Sequence, residues 1–488
     1  MEPKMHELPT IRIHSITLEN FKSVKYGRIE TACAKKFVPQ DTQSDILGIY
    51  GQNGSGKTSV IEALSIFKYL AVGESIPDKY ADCIRKDADQ AHLEYVFDYQ
   101  YPSGKIHKVK YGVYLELADQ TSVELDYDES FVDESIEEEE KVKHLVKVSR
   151  EYIKACGDFE EHKGWHNVIN TNTEPFGPAN KRKCFLKDSK SLNSLIANRK
   201  IAWNLSKSFI FMDETIDIFM GMMNRSEYAD IVFDLKNFAS IYFYVVDTKS
   251  AGFIRLNVGM PIWIRRIGKD QMFVINRIVL GINKPNKLPE QLFSDVREVF
   301  ENINIVLCRL IPGLTIDLKD LGPILLKNGK PGKLAELIAI RDGVELPLRD
   351  ESDGIKKIIS TLQLFIEAYN DRSLTVAIDE FDAGVFEYLL GEMLTVFEKY
   401  GKGQFIFTSH NLRPLEVINK DFICFTTTNP ENRYTRIDNI KPSNNLRNVY
   451  FREIELGGED EDLYVQEKQF RIVQALRKAG QSVYGKEE

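Results

Sequence analysis

Gly51-Gln52-Asn53-Gly54-Ser55-Gly56-Lys57-Thr58 matches the pattern G-x-x-x-x-G-K-[ST] at every fixed position. The run before it, Ile46-Leu47-Gly48-Ile49-Tyr50, reads as a short buried strand. The run after it places Val60, Ile61, Leu64 and Phe67 on one helical face. The pattern therefore lies between a strand and a helix N-terminus, where its chemistry needs it. Glycines let the backbone curl so that successive N–H groups point at phosphate oxygens. On this reading Gly51, Asn53, Gly54, Ser55, Gly56, Lys57, Thr58 and Ser59 form a nucleotide-phosphate site. Lys57 supplies a point charge to the β- and γ-phosphates, and the Thr58 hydroxyl is a Mg²⁺ ligand.

A second stretch must complete the first. Leu374-Thr375-Val376-Ala377-Ile378-Asp379-Glu380 is an apolar strand ending in two carboxylates, a Walker B pattern. Asp379 would hold Mg²⁺, usually through water, and Glu380 would polarise the attacking water as general base. The two motifs are about 320 residues apart, far more than one βαβ unit needs. Such a separation implies a large insertion between two halves of one nucleotide-binding head.

Phe405-Ile406-Phe407-Thr408-Ser409-His410 is a further apolar strand ending at a histidine, one helix after Walker B. His410 either senses a γ-phosphate or is a strand-end histidine at the surface. Before Walker B, Ser352 and Gly354 open a helix whose apolar face is Ile355, Ile358, Ile359, Leu362 and Phe365/Ile366. Ser352 suits an N-cap. The alternative is that this positive helix end, with Ser352, Gly354 and Lys356, grips the γ-phosphate held by another subunit.

The ordered set resembles the ABC-type ATPase heads of the SMC, Rad50 and RecF group. It comprises the phosphate loop, a Ser-x-Gly helix start, Walker B with a following Glu, and a switch His. The opening Ile11 to Ser23, with Asn20-Phe21-Lys22-Ser23, is similar to theirs. Glu351-Ser352-Asp353-Gly354-Ile355-Lys356-Lys357, Asp379-Glu380-Phe381-Asp382-Ala383-Gly384 and Thr408-Ser409-His410-Asn411 resemble more closely the OLD group and its AAA15-type relatives. The resemblance covers about residues 8–125 and 290–440. It implies an α/β P-loop NTPase of the two-lobed ABC/SMC type using ATP and Mg²⁺, with Asp382 in a D-loop-like place. The expected organisation is an N-terminal lobe over 1–127, an inserted, largely helical domain over 128–288, and a C-terminal lobe with a terminal helix over 289–488.

Composition bounds the rest. The chain has 488 residues, 43% hydrophobic, a net charge of −9 and a pI near 5.6. That argues against a surface that coats nucleic acid throughout, while leaving room for a local basic groove. No run of about eighteen apolar residues exists, so no membrane span is expected. The N-terminus lacks the apolar core of a signal peptide, and a cytoplasmic location is expected. Cys33, Cys83, Cys156, Cys184, Cys308 and Cys424 are scattered and read as reduced thiols. His92 to Tyr99 and Lys108 to Tyr114 read as a hairpin turning at Pro102-Ser103-Gly104. The acidic run over 128–140 reads as a solvated boundary. Residues from about 141 to 285 read as mixed and largely helical, with Phe209, Met212, Ile216 and Phe219/Met220 as a core stripe. Lys181-Arg182-Lys183 could touch phosphate but reads as a solvated loop. No heptads support a long coiled-coil arm. Strands over 422–426 and 434–437 and a terminal helix over 463–478 are expected. Glu459 to Asp462 cluster without the strand framework of a nuclease.

OLD nucleases carry a C-terminal Toprim domain. Only 78 residues follow His410 here, so the resemblance points to an ATPase whose effector is a separate polypeptide. The expected partners are a second copy in a head-to-head dimer and a nuclease of HNH or Toprim type, as in two-gene anti-phage systems of the Septu or PARIS kind, with DNA or a phage component as trigger. The competing reading is a RecF/SMC-like DNA clamp; a third is a nucleotide-binding scaffold without turnover, which the intact Glu380 opposes. The Q-loop residue stays open between Gln90 and Gln100.

Overall fold

The strand that leads into the phosphate loop, β3 (Asp45–Tyr50), is buried along its whole length, and its side chains alternate between two cores. Leu47 and Ile49 enter one, Ile46 and Tyr50 the other. This is the pattern of a strand inside a sheet covered on both faces. A computed structural model describes residues 8–32, 44–118, 145–159, 164–221, 226–247, 259–267, 273–437, 445–456, 461–464 and 469–484. In it β3 pairs in parallel with β16 (Gln404–Thr408) on one side and β17 (Ile423–Thr426) on the other. Beyond β16 lie β15 (Thr375–Ile378) and β8 (Phe243–Val246), also parallel. The short β18 (Tyr434–Thr435) closes the opposite edge antiparallel.

One face of this sheet carries α1 (Lys57–Ala71) and, packed over it, an antiparallel sheet of order β2-β1-β4-β5-β6-β7. Its strands are β1 (Thr10–Phe21), β2 (Val24–Glu30), β4 (Gln90–Gln100), β5 (Ile106–Leu117), β6 (Val146–Gly157) and β7 (His166–Asn170). Phe67 of α1 lies 5.0–6.0 Å, ring to ring, from Tyr95, Phe97, Tyr111 and Phe243, which ties both sheets to that helix. Helices α2 (Ser189–Asn204), α3 (Asp213–Met220) and α4 (Glu227–Asn237) extend the same core.

The other face carries α6 (Asp353–Asn370) and α7 (Glu387–Tyr400). A hairpin of β9 (Met260–Ile267) and β10 (Phe273–Leu280) joins this core, as does a small sheet backed by α5 (Glu290–Leu310). That sheet contains β11 (Asn286–Pro289), β12 (Leu314–Leu325), β13 (Pro331–Arg341) and β14 (Val344–Pro347). Short α8 (Pro414–Val417), then α9 (Leu446–Leu456) and α10 (Gln469–Tyr484), follow.

A buried amide joins the two large sheets. Gln404, fully buried in β16, accepts from the Ile13 N–H at 3.0 Å and donates to the Ile13 carbonyl at 2.8 Å. It thus completes a backbone pair on β1 as another strand would. Its Nε2 also donates to Asp45 Oδ2 at 2.5 Å, so its polar atoms are satisfied.

The α/β P-loop head expected from the sequence is the one observed. The segment over 128–288 is divided differently from the expectation. It contains α2 to α4, but β6 and β7 extend the antiparallel sheet and β8 is the edge strand of the parallel sheet. The alternation Val146-Lys147-Val148 and Ile153-Lys154-Ala155 marks β6, with the valines, Ile153 and Ala155 buried. The phase slips where the ladder to β5 shifts register beside Tyr114 and Leu115. Phe243–Val246 is too short for periodicity to separate strand from helix; pairing with β15 decides it. In the stripe from Phe209, the helix starts only at Asp213. Phe209 and Ile210 precede it and donate their N–H groups to the buried Glu151 carboxylate at 2.6 and 3.2 Å. Lys181 is buried and donates to the Tyr228 hydroxyl at 2.8 Å, and Arg182 donates to the Phe176 carbonyl at 2.7 Å, so neither is a solvated loop charge.

The acidic run over 128–140, Cys33, Glu459 and Asp460 lie outside the described residues. Glu461 accepts from the amides of Asn429 and Asn432 at 3.0 and 3.1 Å. The terminal helix is placed at Gln469–Tyr484. Among the described residues no helix is long and apolar enough to cross a membrane.

Lys68, on the inner face of α1, is half-buried, with its ammonium enclosed and donating to the Phe243 carbonyl at 2.9 Å and to the Ala239 carbonyl. Burial lowers its pKa to about 7. Between that value and the ordinary lysine value of 10.5 the folded chain binds fewer protons at this site than the unfolded chain. Stability from this group therefore rises with pH across that window, by at most about 1.4 kcal/mol per pH unit. Comparing the melting of Lys68→Met with the parent between pH 7 and 9 should show the parent gaining on the variant as pH rises. A difference independent of pH would contradict a neutralised buried lysine.

Candidate functional site

All the sequence-derived site residues of the parallel sheet follow the carboxyl ends of its strands, the edge where open α/β sheets hold ligands. Gly51 follows β3, Asp379 and Glu380 follow β15, and Ser409 and His410 follow β16. The loop after β3 curls through left-handed glycines, with φ of 76° at Gly54 and 96° at Gly56, the N-cap of α1. Gly51 must be glycine for a packing reason as well. A Cβ there would sit 1.7 Å from Thr426 Oγ1 at the end of β17. That threonine also bonds the Ser55 hydroxyl at 2.5 Å, and the Tyr434 hydroxyl donates to the Gly56 carbonyl at 2.9 Å. The loop is therefore braced by β17 and β18. Asn53 and Gly54 are exposed at its crown, and Ser59 is buried one turn into the helix.

Lys57 is 6% exposed, and its ammonium donates to the carbonyls of Gly51 and Gln52 at 2.7 and 2.9 Å. Burial lowers its pKa, while Asp379, Asp382 and Glu380 act in the opposite sense. The loop thus holds a cation on its own carbonyls, within the field of three carboxylates.

The two distant motifs meet. Thr58 Oγ1 lies 3.4 Å from Asp379 Oδ1, across 321 residues of chain. The junction is organised by Thr408, whose hydroxyl donates to Asp379 Oδ1 at 2.5 Å and accepts the Glu380 N–H at 2.7 Å. The Thr408 carbonyl accepts the Phe381 N–H at 3.0 Å, and the Asp379 N–H donates to the Val246 carbonyl at 2.9 Å. These bonds hold Glu380 at φ 48°, a left-handed conformation rare for a non-glycine residue. The Lys357 ammonium, buried on α6, donates to the Glu380 carbonyl. Asp382 Oδ2 accepts the N–H groups of His410 and Asn411 at 3.0 and 2.8 Å, so the turn after β15 positions the backbone that follows β16. The His410 side chain is exposed.

Ser352 caps α6 in the ordinary way, its hydroxyl accepting the Ile355 N–H at 3.3 Å, and the residue is exposed. One expectation for this region is corrected. Lys356 faces inward, 2% exposed, with its ammonium 3.0 Å from Asp353, so its side chain is not offered to another molecule. The close backbone approach that Gly354 permits is made within the chain. A Cβ at Gly354 would stand 1.8 Å from the Gly384 carbonyl oxygen, and Gly384 has φ 78°. The helix start and the turn after Walker B are thus in direct backbone contact.

Gln90 and Gln100 are the two ends of β4, in the antiparallel sheet, where they bond Arg150 and Arg372 at 3.2 and 3.1 Å. The residue beside Asp379 at the parallel sheet's edge is Asp247, which follows β8 and pairs with Lys79 at 2.7 Å. Glu62, one turn along α1 from Thr58, pairs with Lys22 at 2.5 Å; burial raises its pKa and the Lys22 bond opposes that. Thr408, Thr426 and Asp247 were not assigned roles from sequence. A hydroxyl at a strand's last position was the available signal for the two threonines.

The family model of an AAA domain matches residues 15–199, a span that includes the phosphate loop. No curated protein matches the chain. Among solved structures, the SMC head domain from Thermotoga maritima is 14% identical, over 88% of this chain and 99% of that one, with a TM-score of 0.36. An SMC head with an extended coiled coil from Pyrococcus furiosus, bound to the C-terminal domain of ScpA, is 13% identical over 91% and 99%, with a TM-score of 0.40. The recombination mediator protein RecF is 10% identical over 89% and 100%, with a TM-score of 0.35.

Thr408→Val keeps the side-chain shape but removes the acceptor of the Glu380 N–H and one donor to Asp379. The expected loss of stability is about 1–3 kcal/mol, with Thr408→Ser close to the parent. Denaturant unfolding of the three proteins checks it; equal stability of the valine variant would mean that the hydroxyl does not organise this junction.

Proposed function

We propose that this chain binds and hydrolyses ATP at the edge formed by Gly51–Thr58, Asp379 and Glu380, and that hydrolysis requires a second copy. The observation that carries this reading is the meeting of Thr58 with Asp379, with a conformationally constrained Glu380 immediately after it. In this reading the loop N–H groups take the phosphates, and Lys57 turns from the Gly51 and Gln52 carbonyls to the β- and γ-oxygens. Glu380 accepts the proton of the attacking water. The exposed His410, oriented through its backbone by Asp382, monitors the γ-phosphate.

Thr58 and Asp379 are the residues that would hold Mg²⁺. A hydroxyl and a carboxylate oxygen 3.4 Å apart are hard oxygen donors suited to it. Among the described residues no cluster of three His, Cys, Asp or Glu forms a dedicated metal cage, which agrees with an ion that keeps phosphates and waters as its other ligands. When bound, the ion would neutralise charge developing on the phosphate oxygens.

Ser352 is exposed at the N-terminus of an 18-residue helix, whose positive end favours an anion. In the head-to-head pair it faces the partner's γ-phosphate. The Gly354–Gly384 contact then links that event to the turn carrying Asp382. The output we assign to this cycle is control of a separate effector, a nuclease of HNH or Toprim type in anti-phage defence. Resemblance of the motifs over 351–357 and 379–384 to the OLD group supports that part.

Glu380→Gln should retain ATP binding, slow turnover by about 10²-fold or more, and accumulate ATP-bound dimers. Phosphate release and light scattering read both, and turnover at the parent rate would place the base elsewhere. Ser352→Arg should bind ATP yet fail to hydrolyse it. Mixed with Lys57→Ala, it should recover part of the activity, since one composite site per mixed dimer is intact. If mixed dimers form and nothing returns, or if Ser352→Arg alone is fully active, the shared site is wrong and Ser352 is only a helix cap.

A further inference from the structure

The antiparallel sheet holds a cavity of about 630 Å³ that the ATP site does not use. It lies where β6 outruns its neighbour. β7 pairs only with residues 152–155 of β6, and the N-terminal half of β6 is left facing the C-terminal turns of α2 across the cavity. Arg150 from β6, Arg199, Lys200 and Trp203 from α2, and Lys207 just beyond it line the space.

Three observations point to its ligand. The first is charge. Among the described residues, none of Arg150, Arg199, Lys200 and Lys207 makes an ion pair with a carboxylate, although the chain as a whole carries −9. Arg150 instead lies over the Tyr114 ring at 4.0 Å and donates to Gln90. Arg199 donates to the carbonyls of Thr171, Thr173 and Pro175. Arg150 is thus turned over β5 toward β4, and Arg199 is held against the 171–175 turn. Two acids, Glu151 and Glu174, also line the space and act on Arg199, leaving Lys200 and Lys207 as the cations without an ion pair among the described residues. Glu151 is buried and is bonded internally by Ser208, Tyr111, Phe209 and Ile210, and Glu174 is exposed.

The second observation is that the helix end here is electrically quiet. A C-terminus would ordinarily repel an anion through its unpaired carbonyls. Here the carbonyls of Ile201, Ala202 and Trp203 accept from Leu205, Lys207 and Ser206, and that of Asn204 accepts from the Lys147 ammonium. The third is Trp203, which is 39% exposed in the lining of a cationic cavity instead of being packed in the core. An aromatic ring beside Lys200 and Lys207 fits a ligand that has both a planar ring and a phosphate.

We propose that this cavity binds a phosphorylated nucleoside, either a free nucleotide or the end of a single strand, with its base on Trp203 and its phosphate between Lys200 and Lys207. The site is separate from the phosphate loop and does not rest on the ATPase reading.

The test uses full-length protein carrying Lys57→Ala, so that the phosphate loop contributes little. Binding of a 5′-phosphorylated, fluorescently labelled oligothymidylate is followed by anisotropy, and AMP, ATP and inorganic phosphate serve as competitors. Binding should weaken as salt rises. Trp203→Ala should weaken binding of the oligonucleotide and of the nucleotides by about tenfold, with Trp203→Phe close to the parent. Lys200→Glu with Lys207→Glu should weaken it by about tenfold or more, with unchanged melting. Displacement by mononucleotides identifies a free nucleotide as the ligand; binding of the strand undisturbed by them identifies a strand end. Absence of binding by every probe, or binding unaffected by all these substitutions, would overturn the proposal. A charge-reversed protein that fails to melt cooperatively is replaced by Lys200→Gln with Lys207→Gln, for which a loss of severalfold is required.

Discussion

Three parallel strands that end level with one another hold the candidate site together. Ile378 of β15 stands beside Phe407 of β16, and Phe407 stands beside Gly48 of β3. With that register, the residues that leave the sheet at its carboxyl edge converge whatever the length of chain between them. A slip of one residue would turn every inward side chain of a strand to the wrong face, and the two-sided burial of β3 makes such a slip costly. Thr408 then converts level strand ends into a fixed geometry, because one hydroxyl serves Asp379 and Glu380 together.

Buried polar groups set the positions of the layers around that edge. Gln404 mimics a strand toward β1, Glu151 receives the two N–H groups ahead of α3, and Lys68 serves the carbonyls ahead of and inside β8. Each satisfies backbone groups that would otherwise be stranded where elements change direction. An unsatisfied group there would cost about 1–3 kcal/mol, enough to favour one arrangement of layers over near alternatives. β8 matters most in this respect, since its edge position places Asp247 next to Asp379.

The helix opened by Ser352 carries two roles that one sequence pattern does not separate. Its serine is an exposed cap, and its glycine is spent on a contact with Gly384 inside the same chain. That contact leaves no room for a side chain, and it sets the helix start against the turn containing Asp382, which in turn positions the backbone of His410. Lys357, holding the Glu380 carbonyl from the same helix, adds a second link to the same turn. The helix and the Walker B turn therefore form one mechanical unit in which a single atom of excess bulk would be felt.

Local pattern determined the phosphate loop, the helix after it, the strands at 375–378 and 404–408, the hairpin around Gly104 and the cap at Ser352. Each of these depends on neighbours within a few residues: turn glycines, an apolar face of period 3.6, or alternation of period two. The sequence also placed Asp379 and Glu380 correctly at a strand end. What it could not decide were matters of pairing. Val146–Gly157 became a sheet strand, and Phe243–Val246 an edge strand beside Walker B, because of partners on β5 and β15 far away in the chain. Thr408 and Thr426 took their roles from hydroxyls that meet groups on other strands. Lys356 and Lys357 are adjacent in sequence, yet only packing against the Walker B turn shows the second holding Glu380 and the first turned to Asp353. Periodicity reports which face of an element is apolar; it carries no information about which other element that face, or a polar atom on it, will meet.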